Sequence, residues 1–293
     1  MRKSNSTDTL FDIFLTVVLL AAGITTLYPF INVLAISLND AVDAARGGIY
    51  LWPREFTLRN YFEVFKYPDL ANSFVVSVIR TVAGSCTCVI SVTMLAYVLS
   101  RKDFSGRKVI TVLFLITMYI DGGMVPNYLL VKSLHLYNNF LVYILPGLVG
   151  VFYILIVRTF IESLGTTLQE SVMIDGGNDF VIFTRIIFPL CSPVIATVAL
   201  YSAVGQWNSW FDTYIYTDGG QWFSTLQYQL MKILQNTTLN GAITHIDKDN
   251  APKVSPESIR MTITIIATVP ILVVYPFLQK YFVKGMMIGA VKN

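Results

Sequence analysis

ESVMIDGGNDFVIFTRIIFP, residues 170–189, interrupts a chain that is otherwise almost continuously apolar. Leading into it, Leu164, Leu168 and then Val172 within it recur every fourth residue, which puts them on one face of a helix. Glu162, Gln169 and Glu170 fall off that face. Gly176-Gly177 then predicts a stop, because glycine is a poor helix former and the residue best suited to a left-handed cap. A second apolar run, residues 180–188, ends at Pro189, where another span begins. The expected shape is helix, glycine turn, helix, lying along a membrane face. Spacing alone leaves two readings open: an amphipathic anchor in the interface, or a surface presented to another protein.

Composition dictates the membrane. The 293 residues are 54% hydrophobic and 13% charged, with a mean hydropathy of +0.60. An ordinary soluble domain carries about 25% charged residues. The formal net charge is only +3, and no Lys/Arg cluster forms a phosphate track, so nucleic acid is not an expected partner. Cys86, Cys88 and Cys191 lie in apolar runs without metal-ligand spacing; they read as small buried residues, and no metal site is expected. His135 and His245 lie in separate loops, with no nucleophile–base constellation and no phosphate-binding loop. The chain is therefore not expected to be an enzyme.

A helical span needs about 20 mainly apolar residues. Candidates fall at residues 10–38, 72–99, 109–120 extending towards 130, 140–157, 190–204 and 259–278. The first is too long for a signal peptide, and it lacks a small-residue cleavage site. The loop SRKDFSGRK, residues 100–108, carries four basic residues against one acid, which places it in the cytoplasm. Arg2, Lys3 and the basic tail then fall on the same side. About six spans follow, with both termini cytoplasmic and large extracytoplasmic loops at about 39–70 and 207–258. Asp121-Gly122-Gly123 and Pro126 are expected to break the third span. Arg80 sits deep in the second, where an unpaired arginine is costly. It is expected to snorkel, to pair structurally, or to face a substrate path.

The spacing of the opening stretch also resembles the EAA loop of ABC importer permeases: E-A-A, three residues, glycine, nine residues, then I-x-L-P. Here Glu170-Ser171-Val172 stands for E-A-A, Gly176 and Ile186 fall in register, Phe188 replaces the leucine, and Pro189 closes the motif. Both alanines are replaced. Further matches run along the chain. They are FTL and Asn60-Tyr61, Ala96-Tyr97 through Arg107, Trp207-Asn208, and GMMIGAVK at residues 285–292. The chain thus resembles the MalG-like, binding-protein-dependent permeases of the carbohydrate-uptake family. DGGMVPNYLL resembles the subgroup that handles oligosaccharides, alginate-importer permeases included.

The resemblance implies an all-α integral membrane fold of the type I importer class, one permease domain over residues 1–293, with a cytoplasmic coupling loop at about 159–189. It implies a second, homologous permease as heterodimer partner, two ATPase subunits that carry ATP and magnesium, and an extracytoplasmic solute-binding protein. This chain itself would bind no cofactor. The location implied is the inner membrane of a bacterium and the cargo a carbohydrate, an oligosaccharide such as acidic alginate fragments. Leu168, Glu170, Ser171, Val172, Met173, Ile174, Asp175, Gly176 and Gly177 would contact the ATPase. Sugars bind aromatic faces and hydrogen-bonding groups. Tyr119, Asp121, Tyr128, Trp207, Asn208, Trp210 and Arg80 are therefore candidates for the substrate path, and Lys132 joins Arg80 if the cargo is acidic. A stand-alone six-span transporter is the alternative; the scarcity of intramembrane acids and the lack of an evident inverted repeat argue against it.

Overall fold

The computed structural model describes residues 6–66, 69–218, 222–241 and 255–290. Arg2, Lys3, His245 and residues 291–293 of the C-terminal motif lie outside these, as does the Leu168 side chain. Helices account for the elements: α1 (Ser6–Ser37), α2 (Ala41–Ala44), α3 (Arg59–Phe65), α4 (Leu70–Ser100), α5 (Arg107–Tyr119), α6 (Met124–Ser133), α7 (Val151–Ser163), α8 (Thr167–Ile174), α9 (Asp179–Leu190), α10 (Ser192–Asn208), α11 (Phe211–Tyr216), α12 (Leu226–Gly241) and α13 (Pro256–Ala290). Two short 3₁₀ turns, Phe140–Tyr143 and Leu145–Gly147, precede α7. No strand forms among the described residues; a single antiparallel bridge joins Asn39 and Phe56.

Three helices contain a segment long and apolar enough to cross a bilayer: Leu10–Ser37, Leu70–Ser100 and Glu257–Val274. Three bent pairs bring the candidates to six if each pair is one span. The bends have local causes. Between α5 and α6 the chain turns by 119°, through Gly123 at φ +84°. Between α9 and α10 it turns by 77° at Cys191. Pro189 has no N–H, and its ring would meet the carbonyl four residues back in a regular helix. The preceding turn, Phe183–Ile187, is accordingly π-helical, and the Phe188 N–H reaches the Phe183 carbonyl.

Packing divides the chain into two compact units, Met1–Pro68 with Lys232–Val269, and Asp69–Met231 with Pro270–Asn293. In the first, the end of α1 is tied to the following loop by buried side-chain amides. Asn60 donates to the carbonyls of Ser37 (2.9 Å) and Asn39 (2.8 Å), and the Tyr61 and Ser37 hydroxyls lie 2.9 Å apart. The Asn60-Tyr61 pair read as a family motif thus closes a turn. Most of α1 is exposed along its apolar length, as a lipid-facing or partner-facing helix must be.

The second unit is built on α4, which packs against α7 and α10. Val92, Ala96, Ile154, Val157, Ile182 and Cys191 are fully buried there. Cys86, expected inside, is exposed on the other side of α4. Two hydroxyls on α4 bond back to the preceding turn, Thr87 to the Ala83 carbonyl at 2.7 Å and Thr93 to that of Val89 at 2.6 Å.

Candidate functional site: a capped loop and a polar cavity

Two places in the Asp69–Met231 unit carry chemistry. The first is the 159–189 loop. The four-residue spacing from Leu164 to Val172 suggests one continuous helix, but Gly165, at φ +77°, breaks the chain between α7 and α8. Leu164 and Val172 are nevertheless used alike: both pack inward on the core of α4, α7, α9 and α10. These two members of the periodic face are used within the chain. What the loop presents outward is another set. Ile174 is 86% exposed and Phe180 70%; Met173, Glu170, Ser171 and Asp175 are exposed beside them.

The glycine turn is a Schellman cap. The Gly176 N–H donates to Met173 O at 3.0 Å and the Gly177 N–H to Val172 O at 2.8 Å, with Gly176 at φ +80°. Gly177 has a steric reason as well: a Cβ there would lie 2.5 Å from Val172 Cγ1. Asn178 caps α9 by accepting from the Val181 N–H at 2.9 Å. Asp179 then fastens the loop to the end of α4, accepting from the Tyr97 hydroxyl at 3.1 Å and pairing with Arg101 at 3.4 Å. Arg101 also grips Asp103, and that hydrogen bond holds the Asp103 carboxyl below the usual carboxylate range. An open groove of about 820 Å³ runs alongside, lined by Lys102, Arg107, Arg158, Glu162 and Glu170 among others.

The second place is a cavity of about 760 Å³ with Arg80 at its wall. Arg80 is 2% exposed, and each of its three nitrogens has a partner. Its Nε donates to Gln206 Oε1 at 2.7 Å, Nη1 to the Ser209 carbonyl at 3.2 Å, and Nη2 pairs with Asp212. Its guanidinium carbon lies 4.4 Å from the centroid of the Tyr143 ring. Arg80 is thus paired within the chain, and it also lines the cavity. Gln206 also donates to the Tyr143 carbonyl at 3.1 Å. It passes so close to α4 that a Cβ on Gly84 would sit 2.7 Å from its amide nitrogen.

The other path candidates scatter. Tyr128 stacks on Tyr216, a cavity-lining residue, at 6.3 Å and 13°. Asp121 accepts from Asn127 at 3.4 Å, and Asn127 lines the cavity, whereas Tyr119 is 86% exposed. Trp207 is buried edge-on to Phe74 and lines a separate apolar pocket of about 200 Å³ with Pro270 and Val274. Asn208 is exposed and accepts from Gln227 at 3.3 Å; Trp210 packs on Phe211 and Tyr214.

Residues 89–288, which include the capped loop and much of the cavity wall, match the model of the binding-protein-dependent transport system inner membrane component family. The chain belongs to that family. Among similar proteins, Protein LplC of Bacillus subtilis (strain 168) is 36% identical over 97% of this chain and 95% of its own. The polygalacturonan/rhamnogalacturonan transport system permease protein YtcP of the same organism is 35% identical over 97% of this chain and 99% of its own. The crystal structure of a bacterial ABC transporter involved in the import of the acidic polysaccharide alginate contains a chain that superposes with a TM-score of 0.83. It is 26% identical and covers 96% of this chain and 100% of that one. This inner membrane component thus has the helical permease fold that its sequence resembles. Sequence reasoning does not single out Gln206, Asp212, Tyr143 or Asp179 in this family member. The one signal available is for Asp212: the depth of Arg80 in an apolar run demands an acidic partner somewhere in the chain.

Proposed function

We propose that this chain is the permease subunit of an ATP-driven importer that carries an oligosaccharide across the cytoplasmic membrane. Its six candidate spans would leave both termini, and the 159–189 loop, in the cytoplasm. Membership of a binding-protein-dependent transport family supports the importer reading, and the carbohydrate named for YtcP and for the alginate transporter supports the cargo. Under this reading a solute-binding protein delivers the sugar, a second homologous permease completes the channel, and two ATPase subunits hold ATP and magnesium. This chain performs no catalysis.

The observation that carries the coupling role is the outward face of the 159–189 loop. Ile174, Met173 and Phe180 are apolar and exposed, while Leu164 and Val172 of the same loop are used inside the chain. An exposed apolar patch on a capped, anchored helix suits a groove in a partner protein. Glu170 and Asp175 flank the patch and suit cations at the rim. ATP-driven closure of the ATPase pair would displace α8 and, through Asp179 and Arg101, the end of α4.

The decisive variant is Gly176→Trp. A Cβ at Gly176 meets nothing within 4 Å, so the added bulk clashes with no neighbour at its root, and the cost within the chain is the positive φ. The variant is expected to insert at the wild-type level while uptake is lost and ATP hydrolysis continues. Normal uptake in that variant would count against the coupling role. Ile174→Asp is expected to abolish copurification of the ATPase subunits.

A further inference from the structure

The cavity wall holds both members of an ion pair, and the acid is the more exposed of the two. Arg80 and Asp212 form one ion pair, yet the Arg80 side chain is 3% exposed and that of Asp212 30%. The guanidinium is occupied by Gln206, Ser209 and Asp212 and faces the Tyr143 ring. Each Asp212 oxygen has one partner. Its Oδ2 takes Arg80, and its Oδ1 accepts from the Ser209 hydroxyl at 2.8 Å. An ionised carboxylate has about four acceptor positions, so about two are left over. Asp212 lines the cavity together with Gln206, Tyr153, Tyr201 and Tyr216.

We propose that Asp212 is a sugar-binding residue that accepts hydrogen bonds from ring hydroxyls, and that Arg80 is the positioning residue that supplies its buried countercharge. The proposal rests on the carbohydrate reading above and sharpens it. A ring seated here is recognised by its hydroxyls, flanked by the tyrosine faces. A ring carboxylate would meet Asp212 as a like charge, with the arginine already engaged. An acidic oligosaccharide can still pass, but it turns a hydroxyl edge and not a carboxylate to this wall. The pairing also explains a buried arginine without assigning it to the cargo. An intramembrane charge needs a partner, and removing one member strands the other.

Equilibrium binding to the assembled permease–ATPase complex in nanodiscs, without the binding protein, tests this. The probes are galacto-oligosaccharide, oligogalacturonate and methyl-esterified oligogalacturonate of matched length. Asp212→Asn is expected to raise Kd at least tenfold for the bound sugar. Arg80→Met is expected to do the same, and Arg80→Lys to stay within threefold of wild type because it keeps the charge. Esterification, which removes the carboxylates, is expected not to weaken binding. A tenfold loss on esterification would make Arg80 the reader of the cargo and overturn the proposal, as would an unaltered Kd in Asp212→Asn. A water-soluble carbodiimide reads the same contact in the wild-type complex. Labelling of Asp212 is expected to slow at saturating sugar, and labelling indifferent to sugar overturns the contact even if the variants fail to assemble. If the wild-type complex binds none of the sugars, the carbohydrate reading falls first.

Discussion

Asp179 and Arg101 lie 3.4 Å apart, and the pair joins the first residue of α9 to the C-cap residue of α4. The Tyr97 hydroxyl closes the joint from one turn earlier. Asp179 is largely exposed, so the ion pair alone contributes little to stability, about 0–1 kcal/mol. Its value is geometric: it couples a surface loop to the helix that carries Arg80. Asp179→Ala is expected to leave the protein folded and inserted, with thermal stability within about 1 kcal/mol of wild type, and to reduce transported sugar per ATP hydrolysed. Simultaneous measurement of uptake and hydrolysis in proteoliposomes checks it. An unchanged ratio would show that the joint transmits nothing.

The Schellman cap makes separate demands on its glycines. Gly176 needs a positive φ but has open space, so Gly176→Ala carries only the left-handed penalty, about 1 kcal/mol. Gly177 instead has Val172 against it, with Cγ1 at 2.5 Å and the carbonyl oxygen at 3.0 Å from any added Cβ. Gly177→Ala is therefore expected to be the more disruptive, forcing the turn open. Hydrogen exchange of the Gly176 and Gly177 amides reads the cap directly. Faster exchange in Gly176→Ala than in Gly177→Ala would contradict this ranking.

The apolar runs and the broken loop were legible because they rest on local rules. Gly123 bends the α5–α6 break, and the cap falls at Gly176-Gly177, as glycine conformational freedom requires. The direction of the loop's faces was not legible. Leu164 and Val172 look like a docking stripe by period, yet a stripe of that kind serves a core as well as a partner, and Gly165 divides it. Arg80 announced that a partner must exist, but Asp212 is 132 residues away and only the packing of α4 brings them together. Trp207 illustrates the converse. Its place beside Asn208 and Trp210 says nothing of the ring it packs on, which is Phe74 on α4.

Gly84 and Gln206 set up a packing test within the cavity wall. The Gln206 side chain crosses α4 at Gly84, where an added Cβ would lie 2.7 Å from its amide nitrogen and 2.8 Å from its amide carbon. Gly84→Val therefore displaces Gln206, and Arg80 Nε loses its acceptor while the Tyr143 carbonyl loses its donor. Leaving buried polar groups unpaired costs about 1–3 kcal/mol each. Gly84→Val is expected to lower the thermal midpoint of the purified protein clearly. Adding Gln206→Ala is expected to recover part of the packing strain but none of the lost hydrogen bonds. Equal midpoints for Gly84→Val and wild type would mean that Gln206 does not thread this gap.

Asp43 offers a pH test outside the spans. Its carboxylate accepts from Asn39 at 2.9 Å and from Arg54 Nε at 3.0 Å, and these bonds, that of Asn39 foremost, hold its pKa below the usual carboxylate value. A depressed folded-state pKa contributes stability above the unfolded value, about pH 4, and that contribution is lost as pH falls through the folded value. The loop from Asn39 to Phe56 should therefore loosen only below about pH 4. In Asp43→Asn the pH-dependent part should vanish, because no carboxylate remains to protonate. Hydrogen exchange of the Glu55 and Thr57 amides, which donate to Asn39 Oδ1 and Leu38 O, reports on the loop from about pH 3 to about pH 7 after correction for intrinsic rates. Parallel acid-side profiles in wild type and Asp43→Asn would remove Asp43 as the cause.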